Sequence, residues 1–225
     1  SRSLRDSLGE VLERGEQAIL MLNRRGQSTY VFCRDCGYVV GCDNCDTPMT
    51  YHRHGEAMRC HHCSHQQMPP TVCPNCQSTR IRYFGAGTQQ VEQALHKDFP
   101  DVKTVRWDRD TADSPELHES ILATFASGNA TVMIGTQMIA KGLDLPLVTL
   151  VGVISADPGL ALPDFRAQER AFQILTQVAG RAGRGILGGQ VIVQTYQPTH
   201  PSIVMAADHN YEGFYETEIA ARREL

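Results

Sequence analysis

The residues that most directly suggest chemistry are eight cysteines, which all fall within one window of 44 residues. They form four Cys-x-x-Cys pairs, and the rest of the chain has none: Cys33/Cys36, Cys42/Cys45, Cys60/Cys63 and Cys73/Cys76. Two thiolates on one tight turn converge on a cation, and two such turns complete the tetrahedral shell of sulfurs that zinc accepts. The pattern therefore predicts two closed, structural zinc sites, while the spacing leaves open which pairs share an ion.

Other uses of paired cysteines fit this sequence less well. A disulfide framework is typical of small secreted domains, whereas we expect no signal peptide before these cysteines and most of the chain lacks them. Iron–sulfur ligation, as in a rubredoxin-like electron carrier, stays an alternative because thiolates alone do not name the metal. A thioredoxin-like redox motif would use one pair rather than four. We expect His61 and His62 to be bystanders, because eight cysteines already fill both shells.

The overall composition is that of an ordinary globular protein without a general attraction for nucleic acid. The chain has 225 residues, of which 41% are hydrophobic, and a formal net charge of −4. Any contact with nucleic acid must therefore be local. No apolar run approaches the roughly 18 residues that span a bilayer. We expect a soluble, intracellular segment of a longer protein, with no membrane partner.

Two polar segments follow predicted strands and could contact phosphates. The basic segment Asn23–Gly26 comes after the first predicted strand, at the carboxyl end where open α/β sheets bind ligands. The segment 134–146 is a strand that runs into a loop rich in backbone and hydroxyl donors. Such a loop can hold a sugar-phosphate backbone.

A third polar segment, Gln177–Gly185, lies near the end of a predicted helix. Gln177, Arg181 and Arg184 have the spacing i, i+4, i+7, so one helix face would present an amide and two guanidiniums. Two adjacent cations predict an anion opposite them. Gly180 would let a nucleotide or another backbone approach closely.

The elements that must position these segments alternate between strands and helices. Short apolar runs predict strands at 17–22, 82–84, 102–105, 131–134, 147–154 and 190–195. Helical periodicity predicts helices at 88–99, 115–125 and 164–182, and a helical, acidic stretch from Pro198. This alternation indicates an α/β fold with a mostly parallel sheet covered on both faces. The cysteine window follows the first strand, so we expect it to be an insertion into this domain.

In this order, the motifs resemble the PriA family (primosomal protein N′), bacterial replication-restart DNA helicases of superfamily two. Besides the cysteines, the resemblance rests on Asn23–Gly26, Gly85–Thr88, Asp108–Thr111, Gly135–Gly142 and Gln177–Arg184. It covers nearly the whole chain and implies a second RecA-like helicase lobe with a zinc-binding insertion. Residues 1–30 would begin the lobe, 31–79 would form the inserted module, 80–197 would complete the lobe, and 198–225 would lead to a C-terminal domain.

The resemblance also implies roles for individual residues. The zinc pairing would be nested, with one ion on Cys33, Cys36, Cys73 and Cys76 and the other on Cys42, Cys45, Cys60 and Cys63. The catalytic residues would be those of helicase motif VI, whose arginines contact the ATP γ-phosphate: Gln177, Arg181 and Arg184. The nucleotide-binding residues would be Gly142, Asp144 and Gly180. The DNA-binding residues would be Arg24, Arg25, Thr136, Gln137 and Lys141.

As a whole, the resemblance implies part of an ATP-dependent 3′–5′ DNA helicase that remodels stalled replication forks and initiates primosome assembly. Its cofactors would be two Zn²⁺, with ATP and Mg²⁺ in the full-length protein. Its partners in the bacterial cytoplasm, at the nucleoid, would be forked and single-stranded DNA, single-stranded-DNA-binding protein and primosome or helicase-loader proteins.

The sequence also sets a limit on what this chain can do alone. It contains neither a Gly-x-x-x-x-Gly-Lys-Ser/Thr phosphate loop nor an Asp-Glu-x-His box. We therefore expect that this chain by itself hydrolyses no ATP. The alternative function is a non-enzymatic adaptor, in which the zinc module docks DNA or primosome proteins and the α/β lobe is a scaffold.

Overall fold

The structure is a computed structural model that describes residues 1–22, 29–45, 47–52, 57–84, 87–108, 111–140, 145–160, 164–180 and 188–223. Within these ranges the strands are β1 (Gln17–Met21), β2 (Thr29–Cys33), β3 (Thr50–His52), β4 (Ala57–Arg59), β5 (Gln66–Gln67), β6 (Ile81–Phe84), β7 (Thr104–Trp107), β8 (Val132–Gly135), β9 (Val148–Val153) and β10 (Gln190–Val193). The helices are α1 (Arg2–Glu13), α2 (Thr88–Asp98), α3 (Pro115–Ala126), α4 (Asp157–Leu160), α5 (Ala167–Ala179), α6 (Pro201–Ala207) and α7 (Tyr211–Arg223), with a 3₁₀ turn at Gln137–Ala140. No helix in these ranges is both long and apolar enough to cross a membrane.

Five strands form a parallel sheet in the order β10-β9-β1-β8-β7. Every residue of β1, β8 and β9 is buried, as expected for strands that are covered on both faces. On one face, Leu8 of α1 and Leu95 of α2 pack with alternate strand residues such as Leu20. On the other face, Phe125 of α3 and Phe172 of α5 pack with the strand residues that point the opposite way, such as Met21. We refer to this sheet and its helices as the lobe.

The five parallel strands end level with one another. Trp107 is in register with Gly135, Gly135 with Met21, Met21 with Val153, and Val153 with Val193. The segments that follow these strands therefore start in a row along one edge of the sheet. Space at this edge is tight, because a Cβ on Gly135 would lie 2.3 Å from the Trp107 carbonyl oxygen.

The remaining strands form an antiparallel sheet in the order β5-β4-β3-β2-β6, which lies between β1 and α2 in the chain. Its core contains Val31, Val40, Met49 and Met58 together with cysteines. The predicted α/β fold with a mostly parallel sheet and an inserted cysteine-rich module is thereby confirmed. The expected place of the strand at 82–84 was wrong, since it pairs with β2 in the second sheet rather than joining the parallel one.

The predicted helices at 88–99 and 115–125 are confirmed as α2 and α3. The helix predicted over 164–182 is shorter, because α5 ends at Ala179 and Gly180 is its C-cap. The N–H of Gly180 donates to the carbonyl of Thr176 at 3.0 Å. Helix α1 was not predicted, although Ser1 caps its first turn and Leu4, Leu8 and Val11 form its buried stripe.

Candidate metal centres and the edge of the parallel sheet

The four Cys-x-x-Cys segments share one backbone hydrogen bond, and we call each segment a knuckle. In every knuckle the N–H of the first cysteine donates to the carbonyl of the residue five positions later. These bonds are Cys33 to Tyr38 (2.9 Å), Cys42 to Thr47 (2.8 Å), Cys60 to His65 (2.8 Å) and Cys73 to Ser78 (2.8 Å). The bond closes each segment into a tight hairpin, which turns its two thiols toward one point.

Among the described residues, three knuckles also share a left-handed residue directly after the second cysteine. Gly37, Ser64 and Gln77 have φ angles of 73°, 62° and 59°. The N–H of each donates to the carbonyl of the first cysteine of its knuckle, at 2.9–3.0 Å. This conformation costs a non-glycine residue about 1–2 kcal/mol, so Ser64 and Gln77 carry a strain that Gly37 avoids.

The sulfurs converge in two groups, and in each group all four Sγ atoms lie within 4.8 Å of one another. The first site consists of Cys33, Cys36, Cys73 and Cys76, and the second site of Cys42, Cys45, Cys60 and Cys63. Individual Sγ–Sγ distances are 3.6 Å for Cys33–Cys76, 3.7 Å for Cys36–Cys73 and 3.6 Å for Cys42–Cys63. A tetrahedral zinc with bonds of about 2.3 Å separates its sulfurs by about 3.8 Å. Both groups therefore fit zinc, and all eight thiols are free of disulfides.

The protonation of these thiols shows why a cation belongs among them. A hydrogen bond with the Thr47 hydroxyl, at 3.3 Å, is the main cause that lowers the pKa of Cys60 to about 5. By contrast, the neighbouring thiol of Cys63 raises the pKa of Cys45 to about 12. Four sulfurs this close cannot all ionise without a counter-charge. A divalent cation supplies that charge and allows every sulfur to be a thiolate ligand.

His62 contacts the second site without joining its four sulfurs. Its Nδ1 lies 3.4 Å from the Sγ of Cys45. The ring of His61 instead meets His52, with ring centroids 5.3 Å apart. A hydrogen bond from His62 to a ligand sulfur would stabilise the thiolate and orient it, a role that the cysteine spacing did not suggest.

At the edge of the parallel sheet, two predicted DNA-binding residues follow β8 directly. Thr136 donates its N–H to the Trp107 carbonyl at 3.4 Å, and Gln137 begins the 3₁₀ turn. Leu22, at the end of β1, donates its N–H to the carbonyl of Gly135 at 2.8 Å. The structure thus places Thr136 and Gln137 beside the end of β1. The other predicted DNA-binding residues lie outside the described residues: Arg24, Arg25 and Lys141.

The predicted nucleotide site is described only in part. Gln177 is an exposed residue of α5, and Gly180 is the cap that ends this helix. Among the described residues, a Cβ on Gly180 would meet the carbonyls of Thr176 and Gln177 at an ordinary 3.6 Å. The remaining predicted residues lie outside the described residues: Gly142, Asp144, Arg181 and Arg184. The helix face that Gln177 would share with the two arginines therefore stays a prediction.

A buried carboxylate connects two of the motifs, a role that sequence analysis did not assign to it. Asp108 follows β7 and is only 6% exposed. It accepts hydrogen bonds from the Thr88 hydroxyl and from the N–H of Thr111, the latter at 3.1 Å. Thr88 of one motif therefore meets Asp108 and Thr111 of the other at this carboxylate. The position of an acidic residue directly after a strand was the available signal.

A second buried carboxylate joins the ends of β9 and β10. Asp157 is 6% exposed, and its Oδ1 accepts bonds from the Thr195 hydroxyl and the Tyr196 N–H, both at 2.9 Å. Its Oδ2 lies 3.2 Å from the hydroxyl of Ser155, which donates to it. The loop that follows β10 is therefore held by the first residue of α4, the helix that follows the neighbouring strand β9.

Comparison with known proteins gives matches to two family models. The PriA DNA helicase Cys-rich region (CRR) domain matches residues 42–67, and the helicase conserved C-terminal domain matches residues 70–185. "Replication restart protein PriA" from Bacillus subtilis is 53% identical over the whole chain, and its counterpart from Synechocystis is 49% identical. The chain spans 28% of the length of each of these two relatives.

A solved structure, the Hef helicase domain of Pyrococcus furiosus, is also similar over part of its length. It has 16% identity and a TM-score of 0.39, and the match covers 86% of this chain and 25% of that one.

Proposed function

The chain belongs to the PriA family of replication restart proteins and contains a helicase conserved C-terminal domain, and we propose that the whole protein is an ATP-dependent 3′–5′ DNA helicase. It would recognise and remodel stalled replication forks and initiate primosome assembly in the bacterial cytoplasm, at the nucleoid. The observation that carries this proposal is the match to a helicase domain in a chain that also holds two groups of four cysteines.

In this proposal, motif VI contributes to ATP hydrolysis in the longer protein. Arg181 and Arg184 would stabilise charge on the transferring phosphoryl group, and Gln177 would contact the nucleotide from the same segment. Gly142, Asp144 and Gly180 would bind the nucleotide. A phosphate loop and a Mg²⁺ ligand must come from another part of the protein, because these 225 residues contain no phosphate-loop motif.

Single-stranded DNA would run along the row of strand ends. The position of Thr136 and Gln137 beside the end of β1 supports this path, since Arg24 and Arg25 follow β1 in the sequence. Lys141 would add a further phosphate contact from the segment after the 3₁₀ turn. Contacts of this kind grip the phosphate backbone independently of base sequence.

The two zinc sites would have a structural role. Zinc supplies a closed tetrahedral clamp and neutralises thiolates, and it offers no open position for a substrate. The cysteines would hold the insertion folded, so that its surface can meet the fork. Single-stranded-DNA-binding protein and primosome or helicase-loader proteins are the proposed protein partners.

The decisive experiment uses the full-length protein with forked DNA. We expect ATP hydrolysis that single-stranded DNA stimulates, and unwinding that requires a 3′ loading strand. Arg184→Ala should lower the rate of hydrolysis by about 10³-fold or more. Arg166→Ala is the matched control, because Arg166 is an exposed arginine at the other end of α5.

The adaptor alternative gives a different result in the same assay. A full-length protein that binds forked DNA and primosome proteins but hydrolyses no ATP would replace the helicase proposal with the adaptor. A separate assay on this chain alone should show no ATP hydrolysis. Turnover by the purified chain would contradict the assignment of the phosphate site to another part of the protein.

A further inference from the structure

The zinc module touches the lobe at a second place besides the strands through which it is inserted. The ring of Phe32, in β2, packs against the ring of Tyr196, with centroids 5.0 Å apart. A Cβ on Gly37 would come within 3.0 Å of the Cγ of Gln197, so this glycine lies directly against that side chain. Phe32 directly precedes the knuckle of Cys33 and Cys36, and Gly37 directly follows its second cysteine. We call residues 194–197, which follow β10, the docking loop.

Backbone hydrogen bonds with Val153 and Ala156 hold Gln194, and side-chain hydrogen bonds shape the rest of the docking loop. The Thr195 hydroxyl and the Tyr196 N–H both donate to Asp157 Oδ1, at 2.9 Å each. The Thr195 hydroxyl oxygen in turn accepts the N–H of Gln197 at 3.0 Å. The buried carboxylate therefore fixes Thr195 and Tyr196 directly and Gln197 through the Thr195 hydroxyl. Tyr196 and Gln197 carry the contacts to the module.

The chain connections between the module and the lobe leave the orientation of the module to be fixed by another contact. Only β2 and β6 connect the antiparallel sheet to the rest of the described chain, and they pair from Cys33↔Ile81 to Tyr30↔Phe84. Within the described residues the antiparallel sheet shares no strand pairing with the parallel sheet, so the chain connections through β2 and β6 do not by themselves fix how the module is oriented on the lobe. A second contact that is far from these two strands in sequence restricts that orientation, and residues 194–197 lie more than a hundred positions beyond β6.

We propose that Asp157 is a positioning residue: it holds the docking loop as a seat for the first zinc knuckle, so that the module moves with the lobe as one body. The mechanical consequence rests on the proposed helicase function. If the lobe moves along DNA while the module meets the fork, displacement of the lobe separates strands only when the module cannot swing. A docking loop that no longer holds the module would therefore uncouple ATP hydrolysis from unwinding.

Amide hydrogen exchange of the full-length, zinc-bound protein tests the contact between the docking loop and the module independently of activity. In Asp157→Ala, exchange of residues 194–197 and of the knuckle 33–38 should rise by about tenfold or more, because buried donors lose their acceptor. The knuckle 60–65, in the second zinc site, should be unchanged. Asp157→Asn keeps one acceptor oxygen and should restore most of the protection. Asp101→Ala, at an exposed aspartate, is the matched control.

Tyr196→Ala provides an independent variant, because it removes the ring contact with Phe32 without touching the carboxylate. It should raise exchange at 33–38 while two zinc ions per chain are retained. Faster exchange at 194–197 without any change at 33–38 would overturn the proposal. A rise in all knuckles, or loss of zinc, would also overturn it, because Asp157 would then act only in general stability.

The activity assay then tests the mechanical consequence. For Asp157→Ala we expect unwinding of forked DNA to fall about tenfold or more, while hydrolysis stimulated by single-stranded DNA stays within about twofold. Equal losses of both activities would overturn the coupling role. If the unaltered protein hydrolyses no ATP, the proposed function fails, and the exchange experiment still decides whether Asp157 positions the module.

Discussion

Replacing the left-handed residue of a knuckle by glycine should tighten the zinc site to which that knuckle belongs. Gln77 follows Cys76 of the first site, and Ser64 follows Cys63 of the second site, with φ angles of 59° and 62°. Gly37 occupies the equivalent position in another knuckle with a φ of 73°, so the same turn already accepts glycine. Gln77→Gly should therefore act on the first site and Ser64→Gly on the second.

The size of the effect follows from two opposing contributions. A left-handed conformation costs a residue with a Cβ about 1–2 kcal/mol. Glycine loses about 0.5–1 kcal/mol more backbone entropy when the site folds. The remaining gain is about 0.5–1 kcal/mol, which corresponds to an affinity increase of about two- to fivefold because zinc binding and folding of the site are linked.

The opposite change should weaken the first site by more than this amount. Gly37→Ala adds the left-handed cost and also brings a Cβ to within 3.0 Å of the Gln197 side chain. We expect the zinc affinity of the first site to fall by about fivefold or more. The second site, which contains neither residue, should keep its affinity.

The assay is competition for zinc with a chromophoric chelator, with native mass spectrometry to count the ions that remain on each chain. Gln77→Ala is the matched control, because alanine keeps the left-handed cost and removes only the outer part of the side chain. If Gln77→Ala tightens zinc binding as much as Gln77→Gly, the cause is not backbone conformation. If Gln77→Gly acts on the second site, the grouping of the cysteines is wrong.

Three further predictions concern the lobe. A strong chelator should unfold the insertion but leave the fluorescence emission of Trp107 unchanged, because this single tryptophan lies in a lobe cluster without cysteine. A shifted emission would show that the lobe does not stay folded when the insertion unfolds. Gln17→Leu should lower the free energy of unfolding in urea by about 2 kcal/mol, since the Gln17 amide donates to the Phe125 and Ala130 carbonyls, and a loss below about 0.5 kcal/mol would refute this role. Gly135→Ala should cost about 2 kcal/mol or more in thermal unfolding, because its Cβ would meet a backbone oxygen at 2.3 Å, and an unchanged Tm would contradict that crowding.

The parallel sheet was predictable because its strands carry a strong local signal. Strands β1, β8 and β9 are short apolar runs that are buried along their whole length, and hydrophobic periodicity detects this pattern. Helix α2 was predictable from the stripe that contains Leu95. The strands of the insertion gave no comparable signal, because β3, β4 and β5 have only two or three residues each and their core includes metal-ligand cysteines.

The candidate sites were predictable to the extent that they depend on nearby residues. Each knuckle is a local turn, so its cysteine pair was visible in the sequence. The grouping of pairs depends on the pairing of β2 with β6, which brings Cys33 to within 3.6 Å of Cys76, and spacing alone does not contain that information. The roles of Asp108 and Asp157 were missed because their partners Thr88 and Thr195 lie 20 and 38 positions away.

The pairing of β2 with β6 also has a consequence for how the chain can vary. Because the two strands lie side by side, the insertion leaves the lobe and returns to it through one narrow stem. An insertion that is closed by two paired strands can become longer or shorter between those strands at a small cost in loop-closure entropy. We therefore expect changes in length between the knuckles of Cys33 and Cys73 to leave the register of the parallel strands unaffected.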